Sequence, residues 1–84
     1  MNFLSIVWDD SDGGNRQHIA DHGLTPDDVE DLLRDPRSTF DWSRQSGLRV
    51  AFGYTSGGRY ILVAFDEIDE ATIYPVKACY TVQR

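Results

Sequence analysis

The spacing of apolar residues changes near residue 37, from a helical period to the alternation that is typical of strands. Before that point Val29, Leu32 and Leu33 fall at helical spacing and form one apolar stripe. After it, residues 49–54 carry their larger apolar side chains at every second position, as a half-buried strand does. The pattern predicts an α+β domain in which a helical hairpin is followed by a mostly antiparallel sheet.

The first part of the chain predicts a strand and a short helix. Residues 3–8 are mostly apolar and include β-branched side chains, which favours a strand. A polar connection leads to a helix over residues 13–21, for which Asp12 is the expected N-cap. Gly23 then stands where a helix ends in the left-handed conformation.

The strongest local signal is the joint between this helix and the next. Thr25 is a good N-cap, and Pro26 suits the first helical position because its missing N–H would have had no partner there. Two aspartates follow in the first turn, where they complement the positive end of the helix dipole. Asp35 and Pro36 end the helix, so we predict two helices joined by only a few residues.

Four more strands are predicted after the helices. Pro75 lies inside the last of them and cannot donate a ladder hydrogen bond, which indicates an edge strand or a bulge. By alternation we place Ile73, Pro75 and Lys77 on one face of that strand. The element order is β-α-α-β-β-β-β, with the helices on one face of the sheet and the other face partly open. The four strands are predicted over residues 38–42, 49–54, 59–65 and 71–80, with an acidic turn over residues 66–70.

The length of 84 residues is enough for one domain, residues 1–84, and not for two. A domain of this size has a thin core. We therefore expect its aromatic side chains to supply much of that core. The candidates are Phe3, Trp8, Phe40, Trp42, Phe52, Tyr54, Tyr60, Phe65, Tyr74 and Tyr80.

Cys79 is the only cysteine, so no internal disulfide can form, and a lone thiol fits a reducing compartment. No stretch approaches the ~20 apolar residues that a membrane-spanning helix needs. No basic segment followed by an apolar core stands at the N-terminus. We therefore expect a cytoplasmic protein that does not bind a membrane.

Charge is distributed unevenly along the chain, which has a formal net charge of −6. Residues 1–35 carry a net charge of −7, and residues 36–84 carry +1. Any anion, a nucleic-acid phosphate included, is therefore expected on the second half. The acidic first half is equally well explained as an ordinary solvated surface.

Two histidines raise the question of a metal site. His18 and His22 are four residues apart, the spacing of two ligands on one helix face, and Ile19 is spaced to share that face. A zinc site needs a third and a fourth ligand, and no spacing in the sequence supplies them. We therefore expect structural roles for the histidines, no metal and no cofactor.

Three cations, Arg49, Arg59 and Lys77, lie on the predicted strands with tyrosines near them in sequence. Cations that converge on an open sheet face can hold a scissile phosphate and stabilise its extra charge. RNA cleavage of this kind needs no metal, because the 2′-hydroxyl is the nucleophile. The alternative is that these side chains are ordinary solvent-facing charges, as most Arg and Lys residues are.

From about Trp8 to Lys77 the chain resembles the BrnT-like toxins. The helix joint carries most of the resemblance, and the hairpin in the second half adds to it. The residues that carry it are Trp8-Asp9, Asn15-x-x-His18-Ile19-x-x-His22-Gly23-Leu24-Thr25-Pro26-x-x-Val29-Glu30, Asp35-Pro36 and Gly53-x-Thr55-x-x-Gly58-Arg59-Tyr60-x-x-Val63-x-Phe65.

The resemblance implies a RelE-like fold and the toxin component of a type II toxin–antitoxin system, a metal-independent endoribonuclease. It also implies a cognate antitoxin, usually encoded beside the toxin, that binds it tightly and represses their shared operon. In this interpretation Arg59 and Lys77 contact phosphate. Tyr54 or His22 assists proton transfer, and Arg49 supports RNA binding. The alternative is a non-catalytic relative that binds a protein partner through its open sheet face or its acidic helices.

Overall fold

The computed structural model describes residues 5–43 and 47–81. Within these residues the chain forms an α+β fold of two helices and a five-stranded mixed sheet, in the order that the sequence predicts. The elements are β1 (Ser5–Ile6), α1 (Asn15–Asp21), α2 (Pro26–Arg34), β2 (Thr39–Trp42), β3 (Arg49–Tyr54), β4 (Tyr60–Asp69) and β5 (Thr72–Tyr80). The strands lie side by side in the order β1-β5-β4-β3-β2. β1 runs parallel to β5, and the other neighbours are antiparallel.

The structure confirms the predicted joint between the two helices. Gly23 has a φ of +78°, in the left-handed region that favours glycine. The Thr25 hydroxyl accepts a hydrogen bond from the Asp28 N–H, and the Asp28 carboxylate accepts one from the Thr25 N–H, so the two residues form a capping box. Pro26 begins α2 and Asp35 caps its end. The chain therefore reverses between the helices by local hydrogen bonding.

The core lies between the two helices and one face of the sheet, which we call the helix-covered face. The predicted stripe of Val29, Leu32 and Leu33 is buried there, together with Ile19 and Leu24 of α1 and the joint. Packing of this stripe, rather than intrinsic helix propensity, stabilises a helix of only nine residues. The sheet contributes Ala51, Ile61, Val63, Phe65, Ile73 and Ala78 to the core.

The expectation that aromatic residues supply much of the core is wrong for the described residues. Phe65 is the one aromatic side chain among them that is fully buried, while Trp8 and Phe40 pack partly buried against the core. The other aromatic side chains lie at strand ends or on the second face of the sheet, where no helix covers them. Phe3 lies outside the described residues. The core is therefore built mainly from aliphatic side chains.

We call the second face of the sheet the open face. It carries the residues that alternate with the core positions along β3, β4 and β5. Val50 and Ala64 on this face lie opposite each other and outside the core cluster, although each is only 8% exposed. The open-face residues are Val50, Phe52 and Tyr54 on β3, Tyr60, Leu62 and Ala64 on β4, and Tyr74, Lys77 and Cys79 on β5.

α1 begins later than predicted and without the predicted cap. The N-cap is Gly14 and not Asp12, so no side chain caps the start of this helix. Gly14 passes so close to Asp9 that a Cβ there would lie 2.6 Å from the Asp9 carbonyl oxygen. A glycine is therefore needed at the N-cap, immediately before the first helical residue, Asn15.

Asn15 is 3% exposed and links three separate segments. Its Oδ1 accepts a hydrogen bond from the Asp9 N–H at 2.7 Å. Its Nδ2 donates to the carbonyl oxygens of Val7 and Pro75, each at 2.9 Å. One buried amide therefore joins α1 to the chain after β1 and to β5.

The prediction that Ile19 shares a face with both histidines is wrong. Ile19 is fully buried, whereas His18 and His22 are exposed with their ring centres 5.5 Å apart. Burial against β5 fixes which side of this helix of about two turns faces inward. The histidine pair consequently faces solvent.

Pro75 stands beside a bulge, one of the two alternatives that the sequence leaves open. Ala64 pairs with Lys77, but the next residue of β4, Phe65, pairs with Pro75, so β5 has one extra residue at this point. Pro75 is buried on the helix-covered face and Lys77 is exposed on the open face. The prediction that the two share a face is therefore wrong, because the bulge reverses the alternation between them.

The predicted acidic turn over residues 66–70 is also wrong in its extent. β4 continues to Asp69, and its residues from Asp66 onward pair with the first residues of β5. The turn itself is short, and the Asp69 carboxylate accepts a hydrogen bond from the Ala71 N–H at 2.9 Å within it. Pairing with the β-branched start of β5 outweighs the low strand propensity of the acidic residues.

Neither described helix, of seven and nine residues, has the length and apolar character that crossing a membrane requires.

We predict that Asn15→Ala lowers the free energy of unfolding by about 2–3 kcal/mol, because it leaves buried carbonyl groups without a donor. Gln17→Ala is the matched control, since Gln17 is exposed on the same helix and accepts a single hydrogen bond from the Gly13 N–H. Urea unfolding followed by tryptophan fluorescence measures both variants. Equal stabilities of the two variants would contradict the role given to Asn15.

Candidate functional site

Arg59 lies at the corner where the start of β4, the end of β5 and the helix joint meet. Its guanidinium carbon is 5.5 Å from the centre of the Tyr80 ring, and its Nη1 donates a hydrogen bond to the Tyr80 hydroxyl. The hydroxyl in turn donates to the Gly23 carbonyl oxygen at 3.1 Å. We call Arg59, Tyr80, Gly23 and the adjacent His22 the corner cluster.

His22 enters this cluster through the backbone of the joint. It caps the C-terminal end of α1, and its side chain is exposed. A Cβ on Gly23 would lie 3.7 Å from the Tyr80 ring, so the joint and the ring are in close contact. The corner therefore presents a cation, a phenol and an exposed imidazole on neighbouring segments.

Lys77 and Tyr54 lie elsewhere, on the open face. Lys77 is opposite Ala64, whereas Tyr54 is opposite Tyr60 at the far end of the hairpin. Four residues along the strands, ~13 Å, and two strand spacings, ~10 Å, separate the two backbone positions. The structure therefore does not bring Lys77 and Tyr54 together, and both lie on the opposite face from the Arg59–Tyr80 contact.

Arg49 is placed at the other end of the sheet, on the helix-covered face. Its Nη1 donates to the Glu67 carboxylate at 2.8 Å, and its guanidinium lies 4.9 Å from the centre of the Trp42 ring. The side chain is 16% exposed. About six residues of strand, ~20 Å, separate Arg49 from Arg59 along the hairpin. Arg49 is thus held in an ion pair far from the corner cluster.

Of the five residues that the sequence singles out, Arg59 lies at this corner through its contact with Tyr80, and His22 precedes Gly23 in the chain there. Tyr80, which connects Arg59 to the Gly23 carbonyl, was not among the predicted site residues. Its position follows from the antiparallel order, because the end of β5 must lie beside the start of β4. The sequence therefore contains the signal for the Arg59–Tyr80 contact, although only the pairing of the strands reveals it.

Tyr54 borders a cleft of about 360 Å³ between the α2–β2 loop and the turn end of the β3–β4 hairpin. At its rim the Asp35 carboxylate accepts hydrogen bonds from Arg37 Nε at 3.1 Å and Arg37 Nη2 at 2.9 Å. These bonds, followed by one from the Arg37 backbone N–H, lower the pKa of Asp35. The same ion pair raises the pKa of Arg37. The pair keeps both charges at neutral pH.

Among residues 5–43 and 47–81, no three His, Cys, Asp or Glu side chains form a group that could hold a metal ion. The His18–His22 pair has the ring separation of neighbouring helix positions and no third ligand in that part of the chain. The corner cluster is consequently a set of hydrogen-bonding and titratable groups.

We predict that Asp35 contributes a pH-dependent part of the stability. Its pKa in the folded state lies below the unfolded value of about 3.9, so the contribution is complete at neutral pH and is lost as the pH falls below about 4. In Asp35→Asn this loss is absent, so the stability difference from wild type shrinks as the pH is lowered from 7 to 3. Urea unfolding across this range measures it. Asp31→Asn, which removes an exposed charge from α2, is the control; a constant difference for Asp35→Asn would refute the assignment.

No protein-family model matches this chain, and no curated protein or solved structure matches it.

Proposed function

We propose that this chain is a BrnT-like toxin component of a type II toxin–antitoxin system that cleaves RNA without a metal. The observation that carries the proposal is the hydrogen-bonded connection from Arg59 through Tyr80 to the helix joint. This joint, with His22 and Gly23, is also the segment that carries most of the sequence resemblance. A RelE-like arrangement of the helices and sheet belongs to the same proposal.

The proposed reaction needs three groups around one phosphodiester. The 2′-hydroxyl oxygen forms a bond to phosphorus and gives its proton to the His22 imidazole, while the bond from phosphorus to the 5′-oxygen breaks. The leaving 5′-oxygen takes a proton from the Tyr80 hydroxyl. The Arg59 guanidinium holds the phosphate and offsets the charge that develops on it. The products are a 2′,3′-cyclic phosphate and a 5′-hydroxyl end.

The geometry changes the roles expected from the sequence. Tyr54 is on the open face, so His22 is the better candidate for proton transfer at the Arg59 side. Lys77 is exposed on the open face, where it suits contact with a more distant phosphate of the same strand. Arg49 is already paired with Glu67, which favours a structural role over RNA binding.

A second candidate is a non-catalytic binding module for a protein partner. The scatter of Arg49, Arg59 and Lys77 over both faces and both ends of the sheet favours it. A module of this kind uses the open face as an interface and has no need of the corner cluster.

We predict that induced expression of the wild-type chain arrests bacterial growth, and that the purified protein cleaves RNA in EDTA to 2′,3′-cyclic phosphate ends. Arg59→Ala is expected to lower cleavage by about 10²- to 10³-fold, because it removes the group that stabilises the developing charge. His22→Ala is expected to lower it by about 10²-fold or more.

The controls are Arg34→Ala and His18→Ala, which remove the same side chains from exposed positions on α2 and α1. Both should retain arrest and cleavage at equal protein levels. Absence of arrest and of cleavage with the wild type at every concentration would reject the nuclease and favour the binding module.

We also predict that co-expression of a short protein encoded by the adjacent reading frame restores growth, because the proposed partner is a cognate antitoxin. Co-purification of the two proteins measures the complex directly. Restoration by an unrelated small protein at the same level would contradict a specific antitoxin.

A further inference from the structure

The cleft beside Tyr54 is separate from the corner cluster and has no part in the proposed cleavage step. It lies just before β2 begins, where the α2–β2 loop runs beside the last residues of β3. Its volume of about 360 Å³ falls in the range of pockets that hold small organic groups. Residues from three strands and one loop border it, so its shape is set by the sheet.

One wall of the cleft is aromatic. Tyr54 and Tyr60 are cross-strand partners whose ring centres are 5.0 Å apart at an angle of 63°, and Phe52 borders the same space. Tyr54 is 43% exposed, which is unusual for a large ring beside two others. The edge-to-face contact holds the rings in place, so a planar ligand can stack without ordering flexible side chains.

The opposite rim is polar and carries one cation. The Arg37 side chain is 87% exposed and is oriented by its two hydrogen bonds to Asp35. A guanidinium has five N–H donors, so donors remain for an anionic ligand. Ser38 is fixed by a hydrogen bond from its hydroxyl to the Leu32 carbonyl oxygen at 2.6 Å. The rim therefore offers an oriented positive charge and small polar groups near the aromatic wall.

An aromatic wall with an oriented arginine at the rim is the arrangement that binds unpaired bases of single-stranded RNA, with the base stacked and the phosphate at the cation. A paired base inside a duplex presents no free face to stack on. A fatty acyl chain would place no polar group near the exposed guanidinium of Arg37. The chemistry of both walls therefore fits a nucleotide.

We propose that this cleft binds the base of an unpaired ribonucleotide, with Tyr54 as the stacking residue and Arg37 at its phosphate. The inference rests on the proposed action on RNA and adds a binding subsite to it. The subsite selects single-stranded over double-stranded RNA.

The test measures binding separately from cleavage. The probe is a short, fluorescently labelled single strand of 2′-O-methyl RNA, which lacks the 2′-hydroxyl needed for cleavage, and its fluorescence anisotropy is followed as protein is added. Tyr54→Ala is expected to weaken binding roughly ten-fold, the loss typical of one stacked base. Tyr54→Phe keeps the ring and should bind like the wild type. Arg37→Ala should weaken binding and reduce its dependence on salt concentration.

Tyr74→Ala is the matched control, because Tyr74 is on the same open face at the opposite end of β4, across from Asp66. It should leave affinity unchanged. The proposal would be overturned if Tyr54→Ala bound the probe with wild-type affinity, or if Tyr74→Ala lost as much affinity as Tyr54→Ala. It would also be overturned if the wild type bound a duplex probe as tightly as the single strand. Thermal unfolding of every variant identifies any loss that comes from misfolding, and Tyr54→Phe then decides the role of the ring.

The two proposals fail in different ways. If the wild-type chain binds the single-stranded probe through Tyr54 but cleaves no RNA, the nucleotide cleft stands and the nuclease is rejected. If the chain cleaves RNA but substitution of Tyr54 or Arg37 leaves probe affinity unchanged, the nucleotide cleft is rejected and the corner cluster is retained as the cleavage site. The nucleotide proposal is also rejected if the wild type does not bind the probe but binds a protein partner, and Tyr54→Ala abolishes that binding.

Discussion

The arrangement of this molecule depends on the buried amide of Asn15. Pro75 has no N–H, and its carbonyl oxygen needs a donor inside the protein. Asn15 supplies that donor and at the same time ties the Asp9 and Val7 backbone to α1. Because α1 is only seven residues long and begins without a side-chain cap, its position comes from this contact and from the burial of Ile19 rather than from its own stability. The helix joint follows α1 directly, so the amide also sets where His22 and Gly23 meet β5.

The Pro75 bulge divides the cations between two faces of one sheet. With regular alternation Lys77 would have followed Ile73 and Pro75 onto the helix-covered face, where a charge has no partner among the core residues. The extra residue instead turns Lys77 to solvent and returns Ala78 to the core. The open face gains a positive charge, and Tyr80 at the end of β5 comes back to the helix side, where it meets Arg59. One proline and one amide thus control the positions of Lys77 and of the residues of the corner cluster.

The features that the sequence predicts well are those encoded by neighbouring residues. The N-cap at Thr25, the left-handed Gly23, the buried stripe of α2 and the strand Arg49–Tyr54 all depend on contacts within a few positions. The failures depend on partners distant in sequence. The start of α1 is set by Asp9 and Pro75, and the extension of β4 is set by pairing with β5. The predicted site consisted of the cations with Tyr54 and His22, and Tyr80 was missed because its significance comes from lying beside Arg59 on the neighbouring strand. The RelE-like assignment and the function remain proposals.

The two proposed sites are close along the chain although they lie on opposite faces. Arg59 and Tyr60 are consecutive residues at the start of β4, one reaching Tyr80 beside the helix joint and the other bordering the cleft with Tyr54. The turn over residues 55–58 closes the β3–β4 hairpin at the edge where the two faces of the sheet meet. The chain reverses there because Gly58 adopts a positive φ. A single strand of RNA that crosses this end of the sheet can stack one base beside Tyr54 and present a phosphate to Arg59. Bending a duplex around the same edge has a high deformation energy, so the two proposals together favour single-stranded over double-stranded RNA.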